Sequence, residues 1–217
     1  MTAPAAPRAL RVDAQRNRDR VLAAAGELFG EYGAKASLEE IAGRAEVGVG
    51  TVYRHFPTKE DLIDAVVTEM QRVVFEAVDA ALADPDPASA LKTFLVTVTD
   101  LHARWRLLAE DMSNHVNGTA DKDRFRAAVS DIVQRAQDAG AIRPDIGPSD
   151  VVILIAGIAH AASLTVEADP TLRHRYLTIV LDGLQPNDAT PLPGKPLDLQ
   201  ALGRLSANPK VNNHPRC

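Results

Sequence analysis

The chain has 217 residues, 46% of them hydrophobic, which is enough apolar material for one large core or two small ones. No apolar run is long and uninterrupted enough for the roughly 20 residues of a membrane span, and the N-terminal MTAPAAPRALR holds no hydrophobic stretch of the signal-peptide kind, so a cytoplasmic protein with no membrane partner is expected. The single cysteine, Cys217, excludes an internal disulfide and a thiolate cluster, and a formal net charge of −5 excludes a surface that is basic throughout.

That charge is unevenly spread. Residues 1–20 carry Arg8, Arg11, Arg16, Arg18 and Arg20 against Asp13 and Asp19, a local excess of three positive charges, so a small footprint can be positive on an acidic body. Residues 1–15, rich in Ala and Pro, are predicted to be a disordered arm. It reads either as a solvated tail or as a grip on phosphates or the minor groove, with Arg16 and Arg18 as its contacts. From Arg16 to Tyr32 the residues Val21, Ala24, Ala25, Leu28, Phe29 and Tyr32 follow the helical period, and Gly33 supplies a left-handed cap.

Ser37 and Glu40 stand three apart in the pattern of a capping box, which starts a short helix with Leu38, Ile41, Ala42 and Ala45 on one face. EVGVG (46–50) breaks the period. A second short helix follows and stops before Pro57. Val52 and Phe56, four apart, face inward and leave Thr51, Tyr53, Arg54 and His55 over the outer surface, with Lys59 near by. Hydrogen-bonding side chains in that arrangement suit a phosphate-lined groove. The same spacing also fits a capped helical hairpin inside any all-helical protein.

Thr58 and Asp61 open another helix, predicted to about Ala83, whose apolar positions run from Leu62 through Val66, Met70 and Val78 to Leu82. ADPDP (83–87) breaks it. A long helix is predicted over 88–113, with Leu91, Phe94, Leu95, Val98, Leu101, His102, Trp105, Leu108 and Met112 on one side, and another from Asp121 to Ala139, ending at Gly140. Residues 150–168 are almost continuously apolar, which predicts a helix buried on all sides. A further helix, capped by Asp169, has Pro170 at its first position and extends to Pro186. Small residues Ala156, Gly157, Ala161 and Ala162 allow close approach, so the helices about 150–168 and 170–185 either form a two-fold homodimer interface or complete a monomeric core. Residues 187–217, rich in Pro, Asn and Asp, read as a mobile tail.

The run from Ile41 to Leu62, with IAGRAEV and then GTVYRHFPTKEDL, resembles the signature of the TetR family of bacterial transcriptional regulators, and the match extends upstream through RDRVLAAAGELFGEYG. The resemblance implies that Thr51 and its predecessors enter the major groove of an operator in double-stranded DNA. It also implies that Tyr53, His55 and Lys59 contact phosphates. Two departures stand out: Glu46 where the family usually has glycine in the turn, and Gly48 where it usually has a small hydroxyl residue at the cap. With no hydrogen-bonding side chain at Val49 or Gly50, base readout is expected to rest on apolar contact with thymine methyls, on Thr51 and on Arg44. Ser37 completes the expected DNA-binding set.

The resemblance further implies a cavity that binds a small-molecule effector, which releases the DNA. Phe94, His102, Trp105, Met112, Phe125 and His160 are its candidate lining and predict a largely apolar ligand, although aromatic and Met residues at helical spacing equally serve as core. Asp111 and His115 stand four apart, but no ligand cluster supports a metal. There is no Gly-rich phosphate loop, no G-x-S-x-G and no H-E-x-x-H, so no enzyme and no cofactor are expected. The expected fold is all-α. Residues 16–57 form a three-helix helix-turn-helix DNA-binding domain, and residues 58–186 a helical effector-binding and dimerisation domain. The expected function is a ligand-responsive repressor that binds a palindromic operator as a dimer. The alternative is a helical small-molecule-binding protein with weak or lost DNA binding.

Overall fold

The computed structural model describes residues 7–104, 119–165, 169, 171–187 and 189–206. Every regular element among them is helical. The helices are α1 (Pro7–Tyr32), α2 (Leu38–Arg44), α3 (Val49–His55), α4 (Lys59–Ala83), α5 (Pro87–Arg104), α6 (Thr119–Asp138), α7 (Pro148–Thr165), α8 (Leu172–Gly183) and α9 (Leu199–Ser206), with a 3₁₀ turn at Gly33–Lys35. Among the described residues the chain divides into two compact units, the first running to Arg72 and including Arg104, the second made of Val73–Ala103 and the residues from 119 onward. The division falls inside α4, which is continuous through it.

One boundary departs from the sequence reading in the first unit. The arm expected over residues 1–15 is helical from Pro7 onward; proline is pre-organised for the first helical position, and nothing in RALRVDAQRNR opposes a helix. Gly33 does take the left-handed conformation (φ 62°), followed by the 3₁₀ turn. The core collects Val21, Ala25 and Phe29 of α1, Ile41 of α2, Val52 of α3 and Leu62 of α4, all fully buried or nearly so. Each such Val, Leu, Ile or Phe contributes about 1.5–3 kcal/mol by leaving water.

In the second unit Val78, Leu91, Phe94, Leu95, Val98, Val129, Ile132, Val133 and Leu177 form the core. α6 ends in a Schellman motif, with Gly140 at φ 66°, its N–H donating to the Gln137 carbonyl (2.9 Å) and the Ala141 N–H to that of Ala136 (2.8 Å). α8 starts at Leu172, after Pro170: the Asp169 carboxylate accepts from the Thr171 N–H (2.8 Å) and hydroxyl (2.7 Å). α7, expected to be buried all round, is buried on one side only. Val151, Ile155, Ile158, Ala159 and Ala162 face the core, whereas Ile153, Ala156, Gly157, His160 and Leu164 are exposed, Leu164 by 75%. The two sets alternate at helical spacing, so they occupy opposite faces.

The C-terminal segment corrects the expectation of a mobile tail over 187–217. Arg143, only 8% exposed, donates two bonds to the Asp145 carboxylate (2.6 and 2.9 Å) and one to the Thr190 carbonyl (2.5 Å). Asp145 also accepts from the Leu192 N–H (3.0 Å), and the buried Ser149 hydroxyl donates to the Leu197 carbonyl (2.7 Å). Pro196 fills the space over Gly147, where a Cβ would stand 2.4 Å from it. The strap ends in α9, which packs on α7. Residues 207–217 lie outside the described residues.

The Arg143 guanidinium and the Leu192 N–H hold the Asp145 carboxyl well below the usual carboxylate range. A carboxyl depressed on folding stabilises fully above its unfolded value, near pH 4, and loses that contribution as pH falls through its folded value. The melting temperature of Asp145→Asn is therefore expected to lie below that of the natural protein at neutral pH. The gap should narrow on acidification, as followed by circular dichroism melts at a series of pH values.

Candidate nucleic-acid interface

The α2–α3 unit is set by two local devices. Ser37 caps α2: the Glu40 N–H donates to its hydroxyl oxygen (3.1 Å), while the Ser37 N–H and hydroxyl both donate to the Glu40 carboxylate (2.7 and 2.8 Å). These bonds, together with the charge of Lys59, hold the Glu40 carboxyl below its ordinary value. The C-terminus of α2 is a second Schellman motif, in which the Glu46 N–H donates to the Gly43 carbonyl (3.1 Å) and the Val47 N–H to that of Ala42 (3.0 Å). Here the left-handed residue is Glu46, at φ 53°. Arg20 grips it through the carboxylate (2.8 Å) and reaches the Glu46 carbonyl (3.4 Å). Gly48 then caps α3 with no side-chain bond.

α3 turns Val52 inward, with Phe56 buried just after its end, and leaves the other face outside. Val49 is 38% and Tyr53 48% exposed. Gly50 is exposed and Thr51 and His55 are half-buried. A Cβ built at Gly48 or Gly50 would meet nothing within 4 Å. No packing among the described residues therefore requires glycine at either place. Lys59 donates to the Ala34 carbonyl (2.5 Å), which leaves two of its three donors. The tilted His55 ring lies 6.3 Å from that of Phe56.

Three expected contacts are placed differently. Ser37 gives its hydroxyl proton to Glu40, so it has none for a phosphate. Arg44 pairs with Glu27 (3.1 Å) and Glu31 (4.0 Å) of α1, one turn apart, and so ties α2 to α1 rather than presenting a free guanidinium. Arg18 lies over the Phe56 ring at 5.3 Å, a cation–π contact that anchors α1 to the end of α3. Arg16 remains at the surface, 3.9 Å from Asp13.

The contact set expected from the sequence lacks Arg54. It is exposed, its Nε donates to the Gly50 carbonyl (3.2 Å), and its Nη2 donates to the Thr51 hydroxyl oxygen (2.9 Å). Its spacings of four from Gly50 and three from Thr51 are the signal that would have found it.

In the second unit Phe94 is buried in the core and Phe125 packs against it half-buried, so these two candidates meet one apolar cluster. His160 is corrected: it belongs to the exposed face of α7, because Ile158 two residues earlier faces inward. Trp105, Met112, Asp111, His115 and the His102 side chain lie outside the described residues. A hollow of about 260 Å³ elsewhere on this unit is lined by Leu91, Lys92, Ile142, Thr178, Asp182 and Gln185 among others. It falls short of the roughly 300–1,000 Å³ of small-molecule sites. No described helix is long and apolar enough to cross a membrane.

Residues 21–66 match the family model of bacterial regulatory proteins of the tetR family, and residues 86–186 match the C-terminal domain of SbtR-like transcriptional regulators. The chain is similar to a TetR transcriptional regulator from Streptomyces coelicolor, with 35% identity, 78% of this chain and 99% of the other covered, and a TM-score of 0.63. A TetR regulatory protein from Mycobacterium vanbaalenii is 30% identical over 81% of this chain and 99% of its own, with a TM-score of 0.60. The regulator UidR of Escherichia coli (strain K12) is 28% identical over 177 residues, 76% of this chain and 88% of its own. A capped helix-turn-helix with an exposed second helix, two matching family models and relatives of nearly full length together place this chain in the TetR family of DNA-binding transcriptional regulators, which are not enzymes.

Proposed function

We propose that the chain is a cytoplasmic, dimeric repressor that holds a palindromic operator through α3 and leaves it when a small, largely apolar effector binds the second unit. The observation that carries this reading is the outer face of α3. Gly50 weakens a helix by about 1 kcal/mol relative to Ala, and no neighbour among the described residues requires it. Close approach to a base edge or phosphate supplies the missing reason. On that docking Val49 meets thymine methyls, Thr51 hydrogen-bonds a base, and Tyr53, His55, Lys59 and Arg16 reach phosphates.

The exposed stripe of α7 (Ile153, Ala156, Gly157, His160, Leu164), with Ile179 of α8 60% exposed, supports pairing with a second copy through these helices. A Cβ at Gly157 meets nothing within 4 Å among the described residues, so its smallness serves a partner backbone. Pairing then sets two half-sites about 34–36 Å apart, one turn of DNA. The apolar cluster at Phe94 and Phe125 favours an apolar effector. α4, which begins beside the Thr58–Asp61 capping box (2.7–3.1 Å) and ends at Ala83, is the element through which effector binding acts on α3. The coupling required is of ordinary size, about 1–3 kcal/mol.

The direct test is selection of bound sites from random duplex DNA by the purified protein, with titration of the winner at two salt concentrations. An inverted repeat bound at nanomolar strength is expected; failure to enrich any sequence with folded protein would sink the proposal. Gly50→Ala is expected to raise the melting temperature slightly, in line with about 1 kcal/mol, while weakening operator binding at least tenfold. If operator affinity were unchanged, α3 would not lie close to the DNA. Gly157→Leu should leave helicity intact and shift sedimentation from dimer to monomer, whereas an unchanged dimer would move the interface elsewhere.

A further inference from the structure

The arginines of the DNA-binding unit are mostly spoken for. Arg20 and Arg44 are held by carboxylates, Arg16 has Asp13 near by, and Arg18 lies over Phe56. Among the described residues no carboxylate pairs with Arg54; its two bonds run to the Gly50 carbonyl and the Thr51 hydroxyl oxygen, on the first turn of its own helix. The guanidinium is thereby fixed on the face that carries Thr51.

The chemistry of that contact is directional. A hydroxyl has one proton and two lone pairs, and a guanidinium only donates. Arg54 therefore occupies a lone pair of Thr51 and leaves the hydroxyl proton to be given outward. The hydroxyl oxygen, donated to by a cation, also polarises its own O–H. A second donor approaching that oxygen meets the positive charge of the guanidinium. In the major groove guanine offers O6 and N7, thymine O4 and adenine N7 as acceptors, whereas cytosine offers only its amino donor.

We infer that Arg54 is a positioning residue that turns the Thr51 hydroxyl into a hydrogen-bond donor, so that the base facing it is one with a major-groove acceptor, guanine, thymine or adenine, and cytosine is rejected. The inference rests on the docking of α3 in the major groove proposed above. Arg54 acts through Thr51, and its effect is confined to one position of each half-site.

The test is the base preference at every operator position, measured by competitive binding of single-base variants of the selected site. The proteins compared are the natural chain, Arg54→Met, Thr51→Val and the double variant, with helicity and melting temperature checked for each. Arg54→Met is expected to reduce the discrimination against cytosine about fivefold at a single position per half-site. Thr51→Val should flatten the same position, and Arg54→Met should add nothing there in the Thr51→Val background. A uniform loss of affinity across all sequences would overturn the inference and make Arg54 a phosphate contact. An equal effect of Arg54→Met with and without Thr51 would overturn it in favour of direct base contact by the guanidinium. If the natural protein selects no site, the docking of α3 fails and this inference with it; if it selects one and Arg54→Met leaves every preference unchanged, only the role of Arg54 is lost.

Discussion

The direction in which α3 leaves α2 depends on one backbone conformation, the left-handed Glu46 at φ 53°. A side chain in that region is strained by roughly 1–3 kcal/mol, and the α6 terminus shows the ordinary solution, glycine at the same place in the same motif, Gly140. What holds Glu46 there is local and redundant. Two backbone bonds close the motif, Val47 packs against the core beneath it, and Arg20 of α1 takes both its carboxylate and its carbonyl. The ion pair is exposed and worth little as charge. Its consequence is geometric, because it fastens the turn to α1 and so fixes where the exposed face of α3 points.

The parts of the fold that could be read from the sequence are those whose partners lie within one helical turn. Ser37 with Glu40 and Thr58 with Asp61 pair donor and acceptor three residues apart, and both boxes form. Gly33 and Gly140 advertise their left-handed conformation by being glycine. The strap had no such signal. Its bonds join Arg143 and Asp145 to Thr190 and Leu192, 47 residues apart in each case, and Ser149 to Leu197 across 48. A segment of Pro, Gly and Lys with few apolar residues reads as tail unless its long-range partners are known. The start of α1 is the opposite case: Ala/Pro-rich composition points to a disordered arm, whereas Pro7 at the first helical position points to the helix that forms.

α7 shows the limit of periodicity. Where both faces are apolar, the sequence predicts burial but not which face meets the protomer's own core. Ile155 and Ile158 turned inward and His160 outward, which removed His160 from the candidate cavity and put it on a face of small and apolar residues. The site on α3 suffered a milder version of this. Side-chain types were legible, but their commitments were not: Ser37 to Glu40, Arg44 to Glu27 and Arg18 to Phe56 are choices made among several neighbours in space.

Those commitments explain how an acidic chain is compatible with DNA. The net charge of −5 sets a general repulsion that weakens sequence-independent binding. Within the DNA-binding unit Glu27, Glu31 and Glu46 are engaged by Arg44 and Arg20, so their charges are offset where they stand. Among the described residues Arg54 escapes that pairing and sits on the exposed face of α3, bonded to oxygen atoms of its own helix. The charge of that face is thus left unpaired among the described residues while the charges around it are neutralised, so such a surface attracts an anion locally rather than generally.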